Sequence, residues 1–154
     1  MNSLIIYDSL YGNTEKIAMA MGEEIKAKVK NVNETSNEDF KGLDLLIVGS
    51  PTHGGRAKPS LQVFLDQIPE NTLKNIKVAA FDTRFLEKDV NFALRLLIKT
   101  IGYAAPKMAA LLQNRGGKLI VEPESFIVVK KEGPLKEGEI ERVKNWGKEI
   151  LNML

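Results

Sequence analysis

Cysteine is absent from the 154 residues. Disulfides, thiolate catalysis and iron–sulfur ligation by this chain are thereby excluded. A single histidine, His53, with no cysteine beside it argues against a zinc site, and no metal site is expected. No apolar run approaches the ~20 residues that a membrane-spanning helix requires, so no membrane partner is expected. The opening residues, MNSLIIYDS, lack the basic lead-in and small-residue cleavage site of a secretory signal, and the expectation is a cytoplasmic protein. An excess of one charge is missing too: 22 Lys and Arg face 20 Asp and Glu, a formal net charge of +2. The cations are scattered among glutamates rather than drawn into a stripe, so nucleic acid is not an expected partner. Lys26, Lys28 and Lys30 come nearest to a cluster, and they fall at the end of a predicted helix, where the dipole favours cations.

What is present suits one globular domain spanning residues 1–154, long enough to bury a core. Short apolar runs alternate with helical patterns. Residues 4–7, 29–32, 43–48 and 77–81 read as strands, and 117–121 and 126–129 as strand-like segments around Pro123. Residues 14–28 repeat apolar side chains at helical spacing (Ile17, Met21, Ile25), as do 59–68 (Leu61, Phe64, Leu65, Ile68). A further helical pattern covers 89–113, interrupted around Gly102 and Pro106, and an amphipathic one covers 137–154. The strands are continuous apolar runs rather than alternating ones. That is the signature of a parallel sheet covered on both faces, here a doubly wound α/β domain of five strands. Ligands of such folds bind beyond the carboxyl ends of the strands. The segments to inspect are therefore 8–14, 49–58 and 82–89.

The first of these is Ser9-Leu10-Tyr11-Gly12-Asn13-Thr14, running from a strand straight into a helix. Free amides at a helix start attract an anion, Gly12 admits close backbone approach, and Ser9, Asn13 and Thr14 add short polar groups. The Walker spacing and the G-x-G-x-x-G spacing are both missing, which argues against nucleotide hydrolysis and against a dinucleotide fingerprint. An ordinary cap by Asn13 or Thr14 explains the loop equally well at this stage. The second segment contains Ser50, Pro51, Thr52, His53, Gly54, Gly55 and Arg56, and is richer in Gly and Pro than a plain connection of ~2–6 residues needs. Gly54-Gly55 permits a peptide that reverses direction, and the His53 imidazole is either a solvated bystander or a plate for a flat ring. The third offers Asp82, Thr83, Arg84 and Phe85; Phe85 either stacks on a ligand or joins the core, and Arg84 faces either an anion or solvent. Together the three call for a ligand with a phosphate at one end and a flat, hydrogen-bonding ring at the other.

With YDSLYGNTEKIA after the first strand and VGSPTHGGRAKP after the third, the chain resembles the flavodoxin family over nearly its whole length. AAFDTR and EGPLKEGEIERVKNWG strengthen the likeness. The resemblance implies a flavodoxin-like sheet of strand order 2-1-3-4-5 with helices on both faces. It implies FMN as cofactor, its phosphate on residues 9–14 and its ring between 49–58 and 82–89. It further implies a Gly-containing peptide, here Gly54-Gly55, that flips toward the flavin N5 on one-electron reduction. The flavin carries the chemistry, so no catalytic side chain is expected. The implied activity is electron transport between redox partner proteins; an FMN-dependent NAD(P)H:quinone oxidoreductase is the alternative. Three positions depart from the family pattern. Tyr11 stands where Ser or Thr usually helps hold the phosphate. His53 stands where a Trp is frequent. The pI near 8.7 contrasts with strongly acidic relatives. A phosphate-accepting receiver domain is disfavoured, because the third strand ends Val48-Gly49-Ser50 and lacks the acceptor aspartate.

Overall fold

The computed structural model describes residues 1–85, Ala93 and 102–154. In chain order the elements are β1 (Ser3–Tyr7), α1 (Asn13–Ile25), β2 (Lys28–Asn31), two short 3-10 turns (Val32–Glu34 and Asn37–Phe40), β3 (Leu45–Pro51), α2 (Pro59–Asp66), β4 (Lys77–Phe85), α3 (Ala104–Asn114), β5 (Lys118–Leu119), β6 (Glu124–Val128) and α4 (Glu139–Asn152). Every strand pairing is parallel, in the order β2-β1-β3-β4-β5, with β6 also paired to β4. This is the doubly wound, flavodoxin-like α/β arrangement expected. Its fifth position is shared: β5 pairs with the start of β4 and β6 with its end.

The continuous apolar runs are explained by burial on two faces. Leu4, Ile6, Leu46, Val48, Val78 and Ala80 point to one side, against Leu61 and Leu65 of α2 and Met108 and Leu112 of α3. Ile5, Leu45, Ile47, Ala79 and Phe81 point to the other, against Ile17 and Met21 of α1 and Val143, Trp146 and Ile150 of α4. Each such side chain contributes ~1.5–3 kcal/mol by leaving water. Phe81, Phe126 and Trp146 meet edge to face, with centroids 5.9 to 6.2 Å apart.

Several boundaries differ from the sequence pattern, each for a local reason. β4 runs on to Phe85, because β6 supplies a ladder partner that 77–81 alone does not announce. Asp82, Thr83, Arg84 and Phe85 are thus strand residues and not a loop. α1 stops at Ile25, where Lys26 adopts a left-handed conformation (φ 56) and caps back to Gly22. Lys28 and Lys30 therefore lie on β2, and Lys30 pairs with Asp39 at 2.9 Å. Pro106 sits in the first turn of α3, where its missing N–H costs nothing, and does not interrupt the helix. The rest of the 89–113 pattern, apart from Ala93, lies outside the described residues up to Ile101. Among the described residues no helix is long and apolar enough to cross a membrane.

Gly49, opposite Phe81 in the β3–β4 register, is glycine for a steric reason. A Cβ there would fall inside the Phe81 ring. Gly49→Ala is expected to destabilise the fold by ~2–3 kcal/mol. Urea unfolding of wild type and variant measures this, and equal midpoints would disprove the clash.

Candidate functional site

The carboxyl ends of β1, β3 and β4 are adjacent, and hydrogen bonds tie their loops to one another. Asp8, at the end of β1, is 1% exposed. Its carboxylate accepts from the Ser9 N–H (2.9 Å), from Lys58 Nζ (3.0 Å) and from the Ser60 hydroxyl. One buried charge thereby joins the first loop to the second. Thr14 Oγ1 and Thr83 Oγ1 share a buried hydrogen bond of 2.7 Å, joining the first loop to β4. The Thr52 N–H donates to the Thr83 carbonyl at 2.9 Å, joining the second loop to β4. The first two loops expected from the sequence to form one site are thus brought together at the end of β4.

Neither Asn13 nor Thr14 caps the start of α1. Its cap residue is Gly12 (φ 87), which has no side chain with which to cap. Asn13 does not cap either: its amide donates to the Glu132 carbonyl at 3.1 Å. Thr14 is taken up by Thr83. The first intrahelical bond is Lys16 N–H to Gly12 O, and Gly12 N–H goes to the Ser9 hydroxyl. Among the described residues, the N–H groups of Leu10, Tyr11, Asn13, Thr14 and Glu15 meet no acceptor. A Cβ on Gly12 would find open space. The helix start therefore carries no side-chain cap, and its first amides are open to an acceptor from outside the chain. Leu10 and Tyr11 lie exposed beside it. Behind it, Tyr7 donates to Glu15 at 3.0 Å; burial first, and then the Glu15 carboxylate, raise its phenol pKa.

The second loop is a hairpin. His53 and Arg56 exchange backbone bonds of 2.7 and 3.2 Å across Gly54 (φ 58) and Gly55 (φ 77). Two successive left-handed residues make the two-residue turn that glycine favours. The base is closed by Ser50, whose hydroxyl donates to the Pro51 carbonyl and accepts from the Lys58 N–H. The first turn of α3 holds the hairpin from the side: Ala104 N–H donates to Thr52 Oγ1 (3.1 Å) and Lys107 Nζ to the Gly55 carbonyl (2.7 Å). The His53 and Arg56 side chains are exposed.

β4 distributes its four candidates by strand alternation. Thr83 faces α1. Asp82, fully buried, faces α3 and accepts from Ala105 N–H (2.9 Å) and Arg84 Nε (3.0 Å). Arg84 also donates to Ser125 Oγ and lies 3.3 Å above the centre of the Tyr103 ring. Arg84 therefore faces neither solvent nor a free anion; its charge is matched by Asp82. Phe85 is 38% exposed and outside the core. Residues 86–89 of the third segment lie outside the described residues.

Sequence reasoning missed Asp8, Lys58, Ser60, Tyr103, Lys107 and Ser125 as supports of the site. Asp8 carried a signal: a carboxylate directly after a strand buried on both faces must find partners. The others act through space and leave no local pattern.

The family model described as a flavodoxin domain matches residues 4–122. An uncharacterised protein of Methanocaldococcus jannaschii is 31% identical over 104 residues, which is 67% of this chain and 69% of that protein. A flavodoxin of Aquifex aeolicus is 35% identical over 71 residues, 42% of this chain and 38% of its own length. Among solved structures, oxidised flavodoxin 2 from Bacillus cereus superposes with a TM-score of 0.78 at 22% identity, covering 100% of both chains.

Lys107→Met keeps the aliphatic stem and removes the ammonium from the Gly55 carbonyl. The loss is expected to be roughly 1 kcal/mol, local to the hairpin. Hydrogen exchange of the His53 and Arg56 amides should quicken by about fivefold as a result. Unchanged exchange would mean that the Lys107 ammonium does not hold the hairpin.

Proposed function

The chain belongs to the flavodoxin family, whose cofactor is FMN, and we propose that it carries electrons between larger redox proteins. The observation that supports this best is the loop into α1 and the helix's uncapped start, where five backbone N–H groups have no acceptor among the described residues. A phosphate dianion is the acceptor they suit, and no lysine or arginine in the loop is needed to hold it. Bound there, FMN supplies one-electron chemistry at its ring.

The chain's own residues hold and shield. Gly12 lets the backbone close on the phosphate; Tyr11, Phe85 and the hairpin flank the space where a ring would lie. Turning the Gly54-Gly55 peptide converts one glycine-tolerant turn type into its counterpart, so the plane can present either its carbonyl or its N–H. The His53–Arg56 pair and Lys107 fix the residues on either side, which confines that movement to one peptide. The carrier reading needs no side-chain acid or base.

A second reading, an FMN-dependent NAD(P)H:quinone oxidoreductase, draws on Tyr11. Its ring is 44% exposed at the mouth of the site and free to cover a flat substrate.

The deciding experiment is an FMN titration followed by stepwise reduction with dithionite. A carrier binds FMN, shows a long-wavelength band at half reduction and is not bleached by NADH or NADPH. Rapid bleaching by either nucleotide would favour the reductase, and failure to bind FMN would end both readings. FMN should bind at least ~100-fold more tightly than riboflavin, since charge-assisted hydrogen bonds contribute ~1.5–3 kcal/mol each. Equal affinities would remove the phosphate from the start of α1.

A further inference from the structure

Beyond β6 the chain reverses in a turn that the proposed function leaves unused. The Val129 N–H donates to the Pro134 carbonyl at 2.8 Å, and the Gly133 N–H to the Lys130 carbonyl at 3.0 Å. The base of the turn is fixed. The Lys136 N–H donates to the Ile127 carbonyl at 2.8 Å, and the Ile127 N–H donates at 2.7 Å to the carboxylate of Glu139, buried at the start of α4. The tip meets the first loop. Asn13, itself buried, donates from Nδ2 to the Glu132 carbonyl at 3.1 Å. Gly133 (φ 105) lies close against the same side chain: a Cβ there would stand 2.6 Å from Asn13 Oδ1 and 2.8 Å from Nδ2. Only glycine allows that approach. The backbone N–H of Asn13 is one of the five in the first loop and the start of α1 that meet no acceptor among the described residues. The turn therefore grips the side chain of a residue whose backbone N–H stays open.

We propose that the turn over residues 129–134 positions the first loop for a phosphate monoester, and so sets how strongly the site prefers a phosphorylated ligand to its dephospho form. The proposal rests on the reading of the first loop as the phosphate site and adds the element that orders it. A short loop of glycine and small polar residues loses main-chain freedom when it closes on an anion. A loop already held in place loses less, and the difference appears as affinity. Thr14 is held from the sheet side by Thr83, and Asn13 from the outside by the turn. Asn13 and Gly133 are positioning residues in this scheme: the turn acts on the anion through the Asn13 side chain. The coupling is reciprocal, so whatever the turn adds to anion affinity, a bound anion returns as stability of the turn. A turn that merely supported the fold would act equally on both ligands.

The test compares FMN with riboflavin on the apoprotein, using flavin fluorescence for affinity and NMR for amide exchange. In the wild type FMN should slow exchange of the Val129 and Gly133 amides about fivefold, the equivalent of one hydrogen bond, and riboflavin should not. Asn13→Ala should weaken FMN by about the same factor and leave riboflavin unchanged. Gly133→Ala, whose Cβ displaces the Asn13 side chain, should lower the FMN-to-riboflavin affinity ratio likewise. Its left-handed φ costs stability in any background, so the ratio is the readout and not the melting temperature. Added to Asn13→Ala, it should lower the ratio no further, because the side chain it displaces is gone. If Gly133→Ala does not fold, Asn13→Ala and exchange in the wild type decide. Three results would each overturn the proposal: a ratio unchanged in Asn13→Ala, a full effect of Gly133→Ala on top of Asn13→Ala, or turn amides indifferent to FMN. Should the wild type bind no FMN, the carrier reading fails separately, and inorganic phosphate is titrated while the amides of residues 10–15 are followed. Phosphate affinity about fivefold weaker in Asn13→Ala would then support the turn's role; equal affinity, or amides that do not shift, would sink it.

Discussion

A carboxylate buried at the end of the first strand organises the site. Asp8 cannot remain charged in the interior without partners, because an uncompensated buried charge is far more costly than any single contact is favourable. It takes them from a lysine and a serine some fifty residues away and from the first amide of its own loop. The β3–α2 connection is thereby pulled over the β1–α1 turn. The amides of that turn are left facing outward because the groups that would ordinarily cap them are engaged elsewhere: Asn13 by Glu132, Thr14 by Thr83. The open helix start arises here from the removal of competitors.

The sheet decides where such a site can be. Both faces of β1, β3 and β4 are filled with aliphatic and aromatic side chains, so polar chemistry is confined to strand ends. At the carboxyl end the alternation of β4 divides the work. Thr83 braces α1, while Asp82 and Arg84 anchor the first turn of α3 and the Ser125 hydroxyl. That turn in turn holds the glycine hairpin through Ala104 and Lys107. The first loop and the hairpin thus share one frame.

Much of this was legible in the sequence because it is local. The β1–loop–α1 passage announces itself through Gly12 and the helical spacing of Ile17, Met21 and Ile25. The hairpin announces itself through Gly54-Gly55. The doubly wound sheet follows from strands that are apolar throughout. What was not legible depends on residues distant in the chain. That Arg84 is matched by Asp82 and stacked on Tyr103 requires knowing that β6 and α3 close over β4. Whether Asn13 and Thr14 cap their helix depends on Glu132 and Thr83, and no local pattern reports either. The role of Lys107 likewise depends on where α3 docks.

The divided fifth position has an effect on how the molecule meets its surroundings. A parallel sheet ends in a row of unpaired backbone groups that any extended chain can join. Here that border is built from a two-residue piece and a five-residue piece separated by residues 120–123, so no long, straight template is offered. The interruption also makes a natural place for sequence to grow. Chain inserted between the two pieces would enter at the rim of the sheet, leaving the β1, β3 and β4 registers beneath the first loop untouched.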